Sequence, residues 1–250
     1  MKPITVTSYN LHKGMSPLNR RVHLNEMADA LQTLDTDVLF LQEVQGQHTA
    51  RQQKFDAFPE APHDLFLAQR LSLFNSYGKN AVYPERHHGN AVLSRLPLHT
   101  CGNLDLTVNP LEQRGLLHCE IRPEGWPLPL VCLCLHLNLL EHDRAKQYRI
   151  AADYIANEIP EELPLVLAGD FNDWRQQSCS RFAASLGLQE TFSAQTGSLP
   201  KTFPARFPLL SLDRIYTRRL KTLHTEVHQS EPWNKLSDHL PISAKLVFAG

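Results

Sequence analysis

The sequence predicts an α/β chain with a substantial sheet component. Three observations carry this: strand-like segments outnumber helical ones, the two kinds alternate in mixed order, and polar side chains recur where buried strands end. With 42% hydrophobic and 20% charged residues among 250, the chain belongs with globular proteins rather than disordered or fibrous ones.

Ile4 to Tyr9 alternates apolar side chains with Thr and Ser, as a half-buried strand does. From Val22 to Leu34 the apolar positions Val22, Leu24, Met27, Ala28, Ala30, Leu31 and Leu34 fall close to one helical stripe. Val38–Leu41 is a short continuous apolar run of buried-strand type, ending at Gln42 and Glu43. Further strands are expected at Asp64–Ala68, Asn90–Leu93, Gly115–Ile121, Leu130–Leu137, Leu165–Ala168, Leu212–Tyr216 and Ile242–Phe248. Arg144 to Ile159 is the clearest second helix. Ala145, Tyr148, Ala151, Ala152, Ile155 and Ile159 share a face, and Pro160 stops it. A third helix is expected over Ser180–Leu186, closed by Gly187.

No repeat, linker or low-complexity stretch interrupts the pattern, so one domain spanning 1–250 is expected. The 25 basic and 26 acidic side chains leave a formal charge of −1, which excludes a generally basic coat for duplex DNA. A local basic patch stays open. The N-terminus lacks an apolar signal region, and Leu128–Leu135, interrupted by Pro129, is far short of the roughly 20 residues a bilayer requires. Five cysteines do not make a disulfide framework; Cys119, Cys132 and Cys134 read as reduced core thiols. A cytoplasmic monomer without a transmembrane segment is expected.

Asn10, Glu43, His136, Asp170, Asn172 and Asp213 each fall at or near the end of a strand, and Asp238-His239 precedes the last one. Singly, each reads as a capping Asp, a turn Asn or a satisfied core His. Together they describe an acidic, oxygen-rich pocket suited to Mg²⁺, Mn²⁺ or Ca²⁺ rather than Zn²⁺. That chemistry fits metal-assisted attack of water on phosphorus.

The same residues carry a resemblance. Ser8-Tyr9-Asn10-Leu11, Leu41-Gln42-Glu43-Val44, Gly89 to Arg95, Leu135-His136-Leu137, Gly169-Asp170-Phe171-Asn172, Leu212 to Tyr216 and Ser237-Asp238-His239-Leu240-Pro241 occur in the family's order. They resemble the motif set of the endonuclease/exonuclease/phosphatase superfamily, over about residues 4 to 247. Its members include deoxyribonuclease I-like nucleases, exonuclease III-type repair enzymes, inositol-polyphosphate 5-phosphatases and neutral sphingomyelinases. Length and the segment Thr202 to Pro208 are most similar to short YbhP-type bacterial members. The resemblance implies a four-layered α/β sandwich, deoxyribonuclease I-like, with two mixed β-sheets packed face to face and helices outside. It also implies a site at one end of the sheets.

By this resemblance Glu43 is the principal ligand of Mg²⁺ or Mn²⁺, with Asn10 and Asp238 near the same or a second ion. Asp170 positions or deprotonates the attacking water, and Asn172 donates to the phosphate or the nucleophile. Asp213 pairs with His239, whose imidazole is either a charged stabiliser or a neutral base; both stay open. His136 matches a histidine of the nuclease-like branch that protonates the leaving oxygen. Arg114 is a candidate phosphate contact through its guanidinium fork, or else a surface strand charge.

Other histidines are weaker candidates. His224-Thr-Glu-Val-His228 lacks the helical geometry and glutamate position of a zinc protease signature and reads as a strand. His87-His88 beside Gly89 reads as a loop, at the rim of the site or simply in solvent.

The substrate is a phosphate ester: nucleic acid, a phospholipid head group or a small phosphodiester. A nuclease needs basic residues around its pocket, for which Arg20-Arg21 and Arg218-Arg219 with Lys221 are candidates. A phospholipid diesterase needs exposed apolar loops, for which Phe203, Phe207, Leu209, Leu210 and Trp233 are candidates unless they are core. A phosphomonoesterase, or a binding protein that kept the fold and lost the chemistry, is the alternative to phosphodiester hydrolysis.

Overall fold

The computed structural model describes residues 1–176 and 179–249. In chain order the elements are β1 (Ile4–Asn10), a 3₁₀ turn (His12–Gly14), α1 (Leu24–Gln32), β2 (Val38–His48), α2 (Thr49–Lys54), α3 (His63–Leu71), β3 (Phe74–Tyr83) and β4 (Arg86–Ser94). Then follow β5 (His99–Asp105), β6 (Gly115–Ile121), β7 (Leu130–His136), α4 (Glu141–Glu158), β8 (Leu165–Asp170), α5 (Cys179–Ser185), β9 (Gln189–Glu190) and α6 (Thr191–Thr196). The last are β10 (Asp213–Arg218), β11 (Leu220–Val227), α7 (Trp233–Leu236) and β12 (Ile242–Phe248).

Among the described residues these strands form two six-stranded mixed sheets, ordered β11-β12-β1-β2-β4-β3 and β5-β6-β7-β8-β10-β9. Between them lies a core built from both inner faces: Val6, Phe40, Val92 and Ala244 from the first sheet against Leu117, Cys132, Cys134 and Val166 from the second. Truncating a side chain such as the fully buried Phe40 here would cost about 3–5 kcal/mol. The outer face of the first sheet packs on α1 and α3 through Leu24, Met27, Leu31 and Leu67. The outer face of the second packs on α4 and α5 through Tyr148, Ala151, Ile155 and Phe182. Helix, sheet, sheet, helix: the layers are those the resemblance implies.

Cys119, Cys132 and Cys134 are free and buried, as expected of core thiols. Burial pushes the Cys119 thiol up to about 11 and the Cys134 thiol to about 12.

Several elements depart from the sequence reading. Asp64–Ala68 is no strand but part of α3, introduced by Pro62 and ended by Ser72 at φ 55°. A short apolar run has no period of its own, and here Leu67 and Ala68 are buried while Leu65 faces solvent. β2 does not stop at Glu43. It passes through a register shift between Leu41 and Val44, with Glu43 in left-handed backbone (φ 54°), and pairs on to His48. His87 and His88 lie on β4 rather than in a loop. The buried face of α4 includes polar Arg144 and Gln147, while Ala145 is exposed. Gln147 Nε2 donates to Leu106 O and Asn138 Oδ1, both at 2.9 Å, and Arg144 donates to Asn138 O at 3.1 Å. The helix thus holds the backbone just beyond β7 with buried hydrogen bonds instead of apolar contact.

The pairing of strands positions one end of the molecule. β1 and β2 run parallel, with Asn10 opposite Gln42. β7 and β8 run parallel, with His136 opposite Asp170, and β10 begins antiparallel with Asp213 opposite the same Asp170. All these termini meet at one edge of the sandwich. Gly169, at φ 151°, makes the approach of β8 to β7 possible, since a Cβ there would lie 1.9 Å from Leu135 O. Gly169→Ala is expected to cost about 3 kcal/mol, read as a lower denaturant midpoint.

Candidate active site

Asp170 stands at the centre of this end, almost fully buried. Its Oδ2 accepts a hydrogen bond from Asn10 Nδ2 at 3.1 Å, which joins the two sheets. Its Oδ1 accepts from the backbone amide of Asn172 at 3.0 Å, a turn that takes Asn172 to φ 50°. His136 Nε2 lies 3.4 Å and His239 Nε2 3.7 Å from the same Oδ2. Asn172 Nδ2 donates to Leu137 O at 2.9 Å and sits 3.3 Å from His136 Nε2.

His239 Nδ1 donates to Asp213 Oδ2 at 2.9 Å, and Thr202 Oγ1 donates to the same oxygen at 2.5 Å. The His239 ring rests against Phe203, with centroids 5.0 Å apart. The imidazole is therefore aimed, its far nitrogen toward Asp170 and its near one fixed by Asp213. Burial alone would drive a proton off His239. The carboxylates of Asp213 and Asp170 outweigh it and raise its pKa to about 10. Burial raises the Asp170 pKa to about 6, with Asp213 adding to the rise and His239 opposing it. His136 is the reverse case: burial, then the Arg114 guanidinium, push it well below the ordinary imidazole range. At neutral pH His239 is therefore charged and His136 neutral.

A second group of oxygen donors lies on the first sheet's side. Glu43 Oε2 pairs with Lys13 Nζ at 2.6 Å, and Asp238 Oδ1 lies 3.3 Å from His12 Nδ1. Asn10 Oδ1 accepts from the His12 amide at 3.0 Å. Burial opposes ionisation of Glu43, but Lys13 prevails and holds its pKa to about 2. Burial likewise opposes ionisation of Asp238, yet the His12 hydrogen bond and the His239 charge hold it below the ordinary carboxylate range. Both acids are anionic at neutral pH.

Asn10, His136, Asp170, Asn172, Asp213 and His239 thus form one connected polar set, to which Asp238 is joined through His12 and Ser237. Arg114 stands just before β6, 4.0 Å from Glu112, its Nε buried without a hydrogen-bond partner. Its field reaches both His136 and His88. His12 and Lys13 escaped the sequence reading, although the signal was present in Asn10-Leu11-His12-Lys13-Gly14: a Gly ends a turn that carries two basic side chains directly beyond a strand-end Asn. Lys13 adopts φ 58° and Gly14 φ 67°, which folds the turn back over Glu43. His88 also faces this region, with a pKa lowered to about 4 by burial and by Lys13. Asn138 and Asp173 lie behind it, linked to α4 through Gln147 and Arg144.

Asp170, Asp213 and His239 offer ligand atoms that all lie within 4.8 Å of one another, a group able to hold a metal ion. Among the described residues, histidines 224 and 228 form no such group; one lies on β11 and the other just after it.

The sequence model of the endonuclease/exonuclease/phosphatase family matches residues 7–239. The chain belongs to that family. The YbhP proteins of Escherichia coli (strain K12) and Shigella flexneri are 41% identical to it over 241 residues, which is 96% of this chain and 95% of theirs. An endonuclease/exonuclease/phosphatase from Beutenbergia cavernae DSM 12333 superposes with a TM-score of 0.82 at 21% identity, covering all of this chain and 72% of the other. A family protein from Leptotrichia buccalis C-1013-b gives 0.76 at 20% identity, over 98% of this chain and 100% of its own. These last two likenesses concern the fold.

The Asp213–His239 pair has a direct test. In Asp213→Asn the His239 pKa is expected to fall from about 10 toward neutrality, followed by NMR titration of the imidazole. A titration unchanged from the parent would show that Asp213 does not hold the proton there.

Proposed function

We propose that this chain hydrolyses a phosphodiester by attack of water on phosphorus, with Mg²⁺ or Mn²⁺ as cofactor. Family membership supports a metal-dependent phosphoesterase; the close group of Asp170, Asp213 and His239 could itself hold an ion only with His239 neutral, so in its charged state it leaves the cation to other oxygen donors. The observation that carries the finer reading is the pair of environments around Asp170 and His239. A carboxylate pushed up to about 6 faces an imidazole raised to about 10, so base and cation coexist over the neutral range.

Asp170 takes the role of base. Its carboxylate is held by Asn10 and the Asn172 amide, and its raised pKa brings it near the range in which accepting a proton from water is productive. His239, charged and aimed by Asp213, stabilises negative charge that builds on the phosphoryl oxygens. Of the two roles left open by sequence for His239, the charged stabiliser is the one its surroundings favour. Asn172 positions phosphate or nucleophile, and Arg114 offers a guanidinium whose Nε has no protein partner. His136, neutral and next to Asn172, would pass a proton from solvent water to the leaving oxygen as the phosphorus–oxygen bond breaks.

Glu43, Asn10 and Asp238 would hold the cation. The donor set fits a hard ion: two carboxylates anionic at neutral pH and an amide oxygen, with no sulfur. Bound there, a divalent ion supplies Lewis-acid polarisation of a phosphoryl oxygen. The Lys13 ammonium balances Glu43 otherwise, and the cation competes with it for the same oxygen.

Asp170→Asn is expected to lower kcat at least about a hundredfold. It should leave the thermal transition unchanged or higher. The folded Asp170 keeps its proton to about pH 6 while the unfolded one releases it near 4, so above pH 6 the buried carboxylate opposes folding, and the amide removes that penalty. Wild-type turnover in this variant would remove Asp170 from the reaction. The parent's rate should rise with pH through about 6 as Asp170 ionises and decline toward about 10 as His239 loses its proton, a profile read with bis(p-nitrophenyl) phosphate. Glu43→Gln should raise the Mn²⁺ concentration for half-saturation at least tenfold by calorimetry, and Lys13→Met should lower it severalfold.

A further inference from the structure

Loops preceding or following β1, β7, β8 and β10 surround the mouth, because each of those strands has its site-bearing end there. They carry large exposed apolar side chains: Leu18 after β1, Leu139 and Leu140 after β7, Trp174 after β8, and Phe207 and Leu209 before β10. Leu18 is 70%, Phe207 77% and Leu209 69% exposed, whereas Trp233 is buried and belongs to the core.

On one side of the mouth Leu18 lines a cavity of about 520 Å³, and Phe207 directly follows Arg206 of its wall. Leu18, Arg20, Arg21, Arg206 and Lys235 line it together with Asp238, a residue it shares with the candidate active site. Lys235 is paired with Glu231. Arg20, Arg21 and Arg206 have no carboxylate within ion-pair distance among the described residues. The loop that presents two of them is fixed, since Ser16 Oγ accepts from the amides of both Arg20 and Arg21 at 3.1 Å. The segment carrying Arg206 is tied to the site by the Ala205 amide, which donates to Asp238 O at 2.8 Å.

We propose that this wall of the mouth docks on an anionic phospholipid bilayer, so that the phosphodiester brought to Asp170 is that of a lipid head group. The inference rests on the phosphoesterase reading above and adds its substrate class. Three unpaired guanidinium groups match lipid phosphates in fork geometry, and Leu18, Phe207 and Leu209 reach beyond them into the head-group and acyl boundary. Aliphatic side chains offer no plane for a nucleobase to stack on, and only Phe207 of the three is aromatic, which weighs against single-stranded nucleic acid. With a formal charge of −1 the molecule as a whole is not drawn to an anionic surface, so a local basic patch has to supply the attraction.

Vesicle flotation of the full chain in EDTA, with phosphatidylcholine alone or with added phosphatidylglycerol, tests this without turnover. Binding is expected only to the anionic vesicles and should weaken as salt is raised. Two triple variants, Leu18→Ser with Phe207→Ser and Leu209→Ser, and Arg20→Gln with Arg21→Gln and Arg206→Gln, should each lower the bound fraction at least tenfold. Their circular dichroism should match the parent, the substituted side chains being exposed. Undiminished binding by both variants overturns the proposal. So does tight binding of a single-stranded oligonucleotide without binding to vesicles. Turnover of bis(p-nitrophenyl) phosphate by the parent without vesicle binding overturns the docking alone. Vesicle binding without such turnover overturns the phosphoesterase reading alone.

Discussion

Two buried carboxylates share one buried imidazolium, and most of what the fold does at this end follows from that. Asp170 and Asp213 face each other across the β8–β10 pairing, and without His239 between them two like charges would sit in a dry site. The cation arrives from the loop before β12, a strand of the other sheet. The two sheets are thus tied by charge as well as by the apolar core between them. Asn10 adds a second tie from the first sheet to the same Asp170. Thr202 and Phe203 complete the arrangement, one donating to Asp213 and the other lying against the imidazole. Neither has any chemistry of its own to perform.

Much of this was legible in the sequence because strand-end polar residues follow continuous apolar runs. Leu165 to Ala168 leading into Asp170, and Leu130 to Leu135 leading into His136, are runs that only a strand buried on both faces explains. Edge and half-exposed strands left weaker traces. β3 and β5 alternate buried with exposed positions only imperfectly, and each has a register shift that breaks the period. α3 was hidden because its apolar run is shorter than two helical turns can reveal. The polar underside of α4 was hidden for another reason: Arg144 and Gln147 are buried for the backbone carbonyls they satisfy, which no hydrophobic period reports.

The site shows the same division. Side-chain identity pointed to Asn10, Glu43, His136, Asp170, Asn172, Asp213, Asp238 and His239, and the fold draws them to one end. What identity does not convey is backbone conformation. Glu43, Asn172, His12 and Lys13 all occupy left-handed backbone, a state that non-glycine residues adopt at some cost. Those four positions decide which way the side chains point. Lys13 reaches Glu43 only because of that turn, which is why the ion pair at the mouth was invisible before the fold was known.

The neighbour relationship of β1 and β12 bears on how the mouth is assembled. β1 is bordered in the sheet by β12, a strand far along the sequence, with Ile4 opposite Leu246 and Ser8 opposite Ile242. The imidazole that neutralises Asp170 and Asp213 lies only three residues before that late strand. Until β12 and the loop before it join the sheet, β1 lacks its antiparallel partner and the acidic pair lacks its counter-charge. The polar mouth is thus completed by one long-range closure, not piecemeal as neighbouring elements pair.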